Sequence, residues 1–425
     1  MQAKRPRGTA DVLPPEVERW HHVEGVIRKL CQQYNYGEIR IPEFEHTELF
    51  LRIGEATDIV QKEMYTFQDR AGRSLTLRPE GTVGVARSFI ENKLYGGILP
   101  AKFYYLGPMF RYERPQAGRG RQFTQFGVEL FGAAGPWADA ETILLALDLF
   151  ARLGLSNLRV LLNSIGCPGC RPRYRQALLE YYRNLSGDVC PACRERMERN
   201  PLRLLDCKEP GCRSLVASAP RATSYLCGQC HEHFQGVQEF LAAAGASLTV
   251  EPALVRGLDY YTRTVYEVIS EDLGAQNTVC GGGRYDGLVE ALTGPPTPAV
   301  GFALGMERLL MVLQSQGRVT TAGRPLDVFV VAAGEEGRKQ APLLSQRLRR
   351  TGLATDADFL DRSVKAQMKH AGRAGARLVL VVGDEELARG KVLVKEMASG
   401  QQWSLDLGDL EAGIERALGG EEGQE

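Results

Sequence analysis

The stretch LVRGLDYYTRTVYEV at 254–268 sets a cation, Arg256, a carboxylate, Asp259, and two phenols, Tyr260 and Tyr261, inside a strand-like run. Gly257, beside the arginine, lets the backbone turn or come close to a ligand. A second polar set lies in RQFTQFGVELFG. Side chains two apart on a strand share a face, so Phe123, Gln125, Gly127 and Glu129 point together. A buried sheet face carrying Gln and Glu costs free energy unless something pairs with them. The preceding stretch AKFYYLGPMFRYE ends near Arg111, and with a loop near 114–122 Arg111 is expected roughly opposite Gln125. That loop supplies Arg114, Arg119 and Arg121, which can meet phosphates. They can equally form a solvated basic turn over a structural Arg–Glu pair, and these residues alone leave both readings open.

GFALGMERLL places Gly301, Gly305 and Arg308 where a strand enters a helix. Small residues there let a flat ligand reach the backbone, and an arginine can stack on an aromatic base. Close packing with a surface arginine is the plainer reading. CGGGRYDGL has neither the dinucleotide-binding spacing of glycines nor a phosphate-loop lysine, so by itself it reads as a tight turn between strands.

Eight of the ten cysteines lie between Cys167 and Cys230: Cys167/Cys170, Cys190/Cys193, Cys207/Cys212 and Cys227/Cys230. Four close pairs can furnish two zinc sites of four thiolates each, and structural zinc contributes roughly 10–16 kcal/mol to folding in small peptides. The spacing leaves the pairing open, and vacant ancestral sites remain the alternative. Cys31 and Cys280 read as ordinary buried thiols. The six histidines show no catalytic pattern; His231 and His233 follow Cys230 and read as helix surface rather than substitute ligands.

The elements that must position these groups follow from periodicity. Val23, Val26, Ile27 and Leu30 have helical spacing within 17–33. EIRIPEFE, with Pro42, and SLTLRPEGT read as strands, and the two stretches flanking RPQAGRG as an antiparallel hairpin, so the sheet is not purely parallel. ADAETILLALDLFARLGL is an amphipathic helix and LRVLLNSIG a strand. After the cysteine segment, strands resume at SLTVEPALVRG, TVYEVIS and, ahead of a buried helix, AVGFAL. Beyond GRVTTAGRP, the strands LDVFVVAAG and RLVLVVG alternate with helices at GRKQAPLLSQRLRR and SVKAQMKHAGRAG. That alternation predicts a small doubly wound α/β domain near 325–418. Within it, Arg338–Arg377 holds ten Lys or Arg against three Asp, a net of +7, either a phosphate-gripping face or ordinary solvated helix faces.

A length of 425 residues, 44% hydrophobic and 24% charged, suits two or three soluble domains. Net charge is zero, which neither supports nor excludes nucleic acid, because a local patch decides. The basic start lacks a following apolar run, and no segment has the roughly 20 apolar residues of a spanning helix, so neither a secretory signal nor a membrane partner is expected. The expected compartment is the cytoplasm. The tail GGEEGQE is the one low-complexity stretch.

PEGT at 79–82, FRYERPQAGRGRQFTQFGVELFG at 110–132 and GFALGMERLL at 301–310 resemble class II aminoacyl-tRNA synthetases. The last two resemble the second and third motifs of that class. EIRIPEFEHTELFLR resembles the first, dimer-forming one. LVRGLDYYTRT and CGGGRYDGL point to the histidyl-tRNA synthetase family, and the resemblance runs from about Arg7 to Leu418.

The resemblance implies a multidomain α+β and α/β fold. A catalytic domain with a mainly antiparallel sheet and flanking helices would occupy 1–166 and 244–322. An inserted, mainly helical, cysteine-rich domain would span 167–243, and an α/β anticodon-binding domain 325–418. It also implies formation of histidyl-adenylate from L-histidine and ATP, transfer to tRNA(His), Mg²⁺ on the phosphates and a homodimer. Glu80, Gly81 and Thr82 would hold the substrate amino group, with Gln125 beside it. Glu129, Tyr260 and Tyr261 would line the imidazole pocket. Arg256 would contact the reacting carboxylate or α-phosphate and Arg111 the α-phosphate. Glu113, Arg119 and Arg121 would grip the rest of ATP, and Arg308 would stack on adenine and reach the γ-phosphate. The family's insertion folds without metal in many members, whose cysteines are absent; this sequence departs from them there. Two rivals share the general fold: the synthetase-like regulatory subunit of ATP phosphoribosyltransferase, which lacks an anticodon-binding domain, and a synthetase for another amino acid.

Overall fold

The computed structural model describes residues 3–54, 57, 59–185, 187–207, 209–272, 277–318 and 326–419. They fall into two compact units that divide between residues 320 and 321. The linker GRVTTAGRP from Val319 on, with the expected boundaries at 322 and 325, and the tail beyond Gly419 lie outside the described residues.

In the first unit, helix α1 (Glu16–Gln33) buries Val23, Ile27, Leu30 and Cys31 along one stripe, as its spacing predicts. The strands are β1 (Gly37–Glu38), β2 (Phe44–His46), β3 (Tyr65–Gln68), β4 (Ser74–Leu77), β5 (Ala101–Phe110) and β6 (Gln122–Phe131). They continue with β7 (Leu158–Ser164), β8 (Leu248–Val250), β9 (Thr262–Ser270), β10 (Thr278–Arg284) and β11 (Ala299–Gly305). Eight of these make one sheet in the order β1-β5-β6-β11-β10-β9-β7-β8, while β2-β4-β3 form a small separate sheet. The large sheet is antiparallel except at β1–β5 and β7–β8. Helices α2 (Thr47–Gly54), α3 (Thr82–Glu91), α4 (Pro136–Arg152), α9 (Leu288–Ala291) and α10 (Met306–Ser315) flank it. Between β7 and β8 run α5 (Arg171–Asn184), α6 (Pro191–Arg199), α7 (Pro210–Val216) and α8 (Gly228–Ala243).

Alternation along β6 divides its faces. Phe126, Val128 and Leu130 pack into the same apolar cluster as α1, α4, α8 and α10 residues. Gln125, Gly127 and Glu129 point the other way, toward the side where Val83, Phe89, Tyr105, Tyr261 and Tyr285 gather. Helices α5–α7 build an apolar cluster of their own around Tyr174, Leu178, Tyr182 and Leu204. By contrast α8 sends Phe234, Val237 and Leu241 into the main core.

Several local expectations need correction. EIRIPEFE is not one strand: it divides into β1 and β2 around Pro42, which has no N–H for a ladder. The hairpin loop lies earlier than expected, at 111–121. Phe110 pairs with Gln122, and the Arg111 N–H donates to the Arg121 carbonyl, so Arg111 faces Arg121; Gln125 pairs with Gly107. SLTVEPALVRG is a strand only over Leu248–Val250. Pro252 cannot extend the ladder, and the Glu251 carboxylate accepts from Ala253 N–H at 3.1 Å in a turn, leaving 251–261 as a loop. CGGGR is no turn but the buried strand β10, paired on both sides.

The second unit contains β12 (Leu326–Ala332), β13 (Thr355–Ala357), β14 (Ala376–Val382), β15 (Lys391–Glu396) and β16 (Gln402–Asp406). Its helices are α11 (Gly334–Arg350), α12 (Val364–Arg373), α13 (Asp384–Ala388) and α14 (Leu410–Gly419). The sheet order is β13-β12-β14-β15-β16. Pairing is parallel through β14 and antiparallel beyond it, so the domain is mixed rather than purely doubly wound. No helix among the described residues is long and apolar enough to cross a membrane.

Candidate active site

Strand β6 and its neighbours build the site. A cavity of about 360 Å³ is walled by Arg111, Glu113, Arg119, Gln125, Arg256 and Arg308, which come from three separate stretches of chain. Arg111 is anchored by its Nε donating to the Pro79 carbonyl at 2.8 Å, and its guanidinium lies over the Phe123 ring at 5.2 Å. Arg256 crosses β10: a Cβ on Gly281 would sit 2.4 Å from its terminal nitrogens, so only glycine leaves it room. Glu267 on β9 accepts from Arg256 and, at 2.8 Å, from the Thr278 hydroxyl, which fixes the guanidinium over the sheet. Arg308 donates to the Thr278 carbonyl at 2.8 Å. Arg119 pairs with Glu113 at 3.5 Å.

Arg121 is not brought to the cavity wall. Its guanidinium stacks on Tyr112 at 3.9 Å and donates to the Glu113 carbonyl at 3.3 Å. The Gly305 Cβ position meets nothing within 4 Å, so that backbone stays open beside the cavity, whereas at Gly301 the space is taken by Glu129 and Tyr285.

Deeper on the same face of β6 lies a polar pocket. Glu129 is fully buried and accepts a hydrogen bond from the Tyr285 hydroxyl, while its other oxygen has no partner. Burial pushes its carboxyl up to about 8. The Tyr105 hydroxyl and the Gln125 side-chain oxygen are likewise buried without partners. Groups of this kind are costly unless a ligand completes them, and three lie on one face. The Tyr260 and Tyr261 rings lie 4.9 Å apart, tilted by 42°, Tyr285 meets Tyr260 at 5.6 Å, and Arg256 lies 5.9 Å from the Tyr261 ring. Side-chain contacts thus run from Arg256 on the cavity wall through Tyr261 to Tyr285 and Glu129. Burial keeps the Tyr105, Tyr260 and Tyr285 phenols well above their ordinary values, so they remain neutral donors.

Glu80 is buried and its two oxygens accept from the Thr82 and Val83 N–H groups at 2.9 Å, which caps α3. Gly81 makes room for Tyr105, whose ring would lie 2.3 Å from a Cβ there.

Residues 8–169 and 200–309 match the histidyl-tRNA synthetase family, and residues 327–417 match the anticodon binding domain. The chain belongs to the histidyl-tRNA synthetase family. A histidine–tRNA ligase of Pelotomaculum thermopropionicum is 53% identical over 408 residues, 96% of either chain. One from Desulforudis audaxviator is 53% identical over 411 residues, 96% of this chain and 98% of that one. Apo Staphylococcus aureus histidyl-tRNA synthetase superposes with a TM-score of 0.83 at 39% identity, over 97% of this chain and 100% of that one.

For a histidyl-tRNA synthetase, the residues that motif reading passed over are informative. Tyr105 and Tyr285 look like core aromatics in sequence, and only their unpaired or carboxylate-paired hydroxyls mark them as pocket groups. Arg284, fully buried, donates to Asp139, to Asp286 at 3.0 Å and to the Ala133 and Gly135 carbonyls. His233 completes this buried group, 3.3 Å from Asp139, and thus is not on the helix surface; His231 is. The triad joins β10, α4 and α8 behind the pocket.

In the second unit, much of the expected basic field is neutralised internally. Arg347 is paired twice with Glu411 at 2.8 Å, Arg362 with Asp358, and Lys339 with Glu335 and Glu336. Lys365, Lys369 and Arg373 make no ion pair among the described residues and lie exposed at successive turns of α12, a single cationic row.

Proposed function

We propose that this chain is a histidine–tRNA ligase, with L-histidine, ATP and tRNA(His) as substrates. The observation that carries the reading is the convergence of Arg111, Arg119, Arg256 and Arg308 on one cavity that adjoins the unpaired Gln125, Glu129 and Tyr105 groups. Cations suit a polyphosphate, and buried polar groups suit a ring that offers one N–H donor and one acceptor nitrogen.

In this reading the imidazole enters between Tyr260, Tyr261 and Tyr285. The free Glu129 oxygen accepts from its N–H, and a tyrosine hydroxyl donates to the other nitrogen. Such pairing rejects analogues that lack either group by roughly 10⁴-fold or more. Gln125 and the Glu80-Gly81-Thr82 turn meet the α-amino group. The histidine carboxylate then attacks the α-phosphorus of ATP. A carboxylate–phosphorus bond forms, the bond to the bridging oxygen breaks, and pyrophosphate leaves. Arg111 and Arg256 stabilise the charge developing at the α-phosphate, so no enzyme nucleophile is needed. Arg119 with Glu113 and Arg308 hold the outer phosphates and the adenine; Arg121 supports the loop from behind through Tyr112. Mg²⁺ brought with ATP would neutralise phosphate charge, and Glu113 and Glu267 are carboxylates on the cavity wall suited to its water shell. In the second step a terminal ribose hydroxyl of tRNA attacks the adenylate carbonyl and AMP leaves.

The α12 cations would grip the anticodon arm. The segments 1–166 and 244–322 form the catalytic domain in this proposal, 167–243 the insertion and 325–418 the anticodon-binding domain. A homodimer and a cytoplasmic setting complete it.

Pyrophosphate exchange tested with each amino acid in turn checks the proposal. Exchange is expected with histidine alone. Exchange with another amino acid would reassign the substrate, and none at all would favour a regulatory role. An ATP phosphoribosyltransferase regulatory subunit/histidyl-tRNA synthetase from Bacillus halodurans C does share the fold, with a TM-score of 0.65 at 23% identity. The match of residues 327–417 to an anticodon binding domain weighs against that role here.

A further inference from the structure

The eight clustered cysteines serve no step of the proposed reaction. Folding brings them into two sets: Cys167, Cys170, Cys227 and Cys230 in one, Cys190, Cys193, Cys207 and Cys212 in the other. Within each set the sulfurs all lie within 4.8 Å of one another. The Cys167–Cys170 sulfurs are 3.6 Å apart and those of Cys190 and Cys207 are 3.9 Å apart. A tetrahedral ion with Zn–S bonds of about 2.3 Å places its sulfurs about 3.8 Å apart. A disulfide would need about 2.05 Å, and a polynuclear iron–sulfur cluster, which spreads its cysteines over two or more irons, would hold some of them further apart. We infer that the insertion carries two structural zinc ions, each held by one of these four-cysteine sets.

A second observation supports thiolate at both places. The Cys227 N–H donates to the Cys170 sulfur at 3.2 Å and the Cys190 N–H to the Cys212 sulfur at 3.1 Å. Backbone donors of this sort steady a metal-bound thiolate. Moreover, Cys170, Cys190 and Cys227 sit at the N-cap positions of α5, α6 and α8, where the helix dipole favours negative charge. Four thiols give up their protons as each ion binds.

The two sites are nested and do different things. The outer one ties the start of α5 to the start of α8, closing the chain between Cys170 and Cys227 at the root of the insertion. The inner one joins α6 to the turn after Pro201–Leu204 and to α7. Between the two inner pairs lie Asn200 and Arg203. Asn200 donates to Asp259 at 3.1 Å, and Arg203 donates to the Gly257 carbonyl. The inner ion thereby orders the segment that holds the loop carrying Arg256 and Tyr261, which makes it a positioning element for the active site.

The test uses the full-length chain purified without added zinc. Elemental analysis is expected to give close to two zinc per chain. Cys193→Ser and Cys230→Ser are each expected to remove about one. A wild-type value nearer one than two, or iron in place of zinc, would overturn the assignment. A second measurement does not depend on variants folding. Cys227 is exposed, so as a free thiol it would alkylate fast in the native protein. As a zinc ligand it is expected to react at least about tenfold faster after a chelator than before. Equal rates would also overturn the assignment.

Discussion

Tyr285 donates its hydroxyl hydrogen to Glu129, both side chains fully buried, and leaves the second Glu129 oxygen facing the pocket without a partner. The pair is made possible by Gly301 on the neighbouring strand: a Cβ there would lie 2.3 Å from the Glu129 carboxylate. Glu129→Gln keeps the shape and the acceptor for Tyr285 but turns its NH2, a donor, toward the imidazole N–H. The histidine KM is expected to rise about 100-fold, in line with roughly 1–3 kcal/mol for a buried polar group left unsatisfied, with an unchanged circular dichroism spectrum. An unaltered KM would remove Glu129 from the pocket.

The same carboxyl should leave a mark on stability. Its native value is raised by burial from 4.5 to about 8, so between these limits the folded chain holds a proton that the unfolded chain has lost. Stability from this group is present in full below about pH 4.5 and is lost as pH rises toward 8. Urea midpoints are expected to fall across that window in the ligand-free protein and to fall less in Glu129→Gln. Parallel slopes in the two proteins would show that other groups carry the dependence.

Arg111 and Arg256 act on charge that develops at phosphorus. Arg111→Ala and Arg256→Ala are expected to lower histidine activation by roughly 10²–10³-fold while changing tRNA affinity little. Because Arg256→Ala strands Glu267, the double variant with Glu267→Gln serves as the control: activity stays low while stability recovers. Comparable losses in activation and in tRNA binding would count against both roles.

The α12 row gives a salt-dependent prediction. Removing Lys365, Lys369 and Arg373 together is expected to weaken tRNA binding and to reduce the slope of log affinity against log salt by roughly 2–3, one counterion per lost phosphate contact. Arg347→Ala, whose side chain is spent on Glu411, should instead lower stability and leave the salt slope alone. Filter binding from low to moderate salt measures both.

What was legible in the sequence follows from how each group advertises itself. Gln125 and Glu129 interrupt an apolar strand and Arg256 breaks a run of apolar and aromatic residues, and a polar residue at a buried position asks for a partner. The cysteine pairs are equally visible, because their close spacing has few other uses. Tyr105 and Tyr285 stayed hidden since an aromatic in a strand is already explained by packing; only three-dimensional neighbours separate a core phenol from a pocket phenol. The Arg111 register was misplaced because a turn centred about two residues earlier moves every pairing behind it by about four, from Gln125 to Arg121. The triad of Asp139, His233 and Arg284 joins segments 51 to 145 residues apart, with no local pattern to announce it. CGGGR resembled a turn for want of side chains, yet that want is its purpose: Arg256 lies where a Cβ on Gly281 would be.

The link between insertion and active site can be separated from metal binding. Arg203→Ala removes the bond to the Gly257 carbonyl without touching a cysteine. If the inner cysteine set acts on catalysis through this contact, the variant should keep its metal content while the histidine KM rises about tenfold, with ATP KM less affected because Arg111 and Arg308 are held by Pro79 and Thr278 instead. Lysine at the same position can still reach the carbonyl with one donor, so Arg203→Lys should recover part of the loss. Steady-state kinetics with each substrate varied in turn decides it: identical KM values in Arg203→Ala and the parent would detach the insertion from the RGLDYY loop, whatever its cysteines bind.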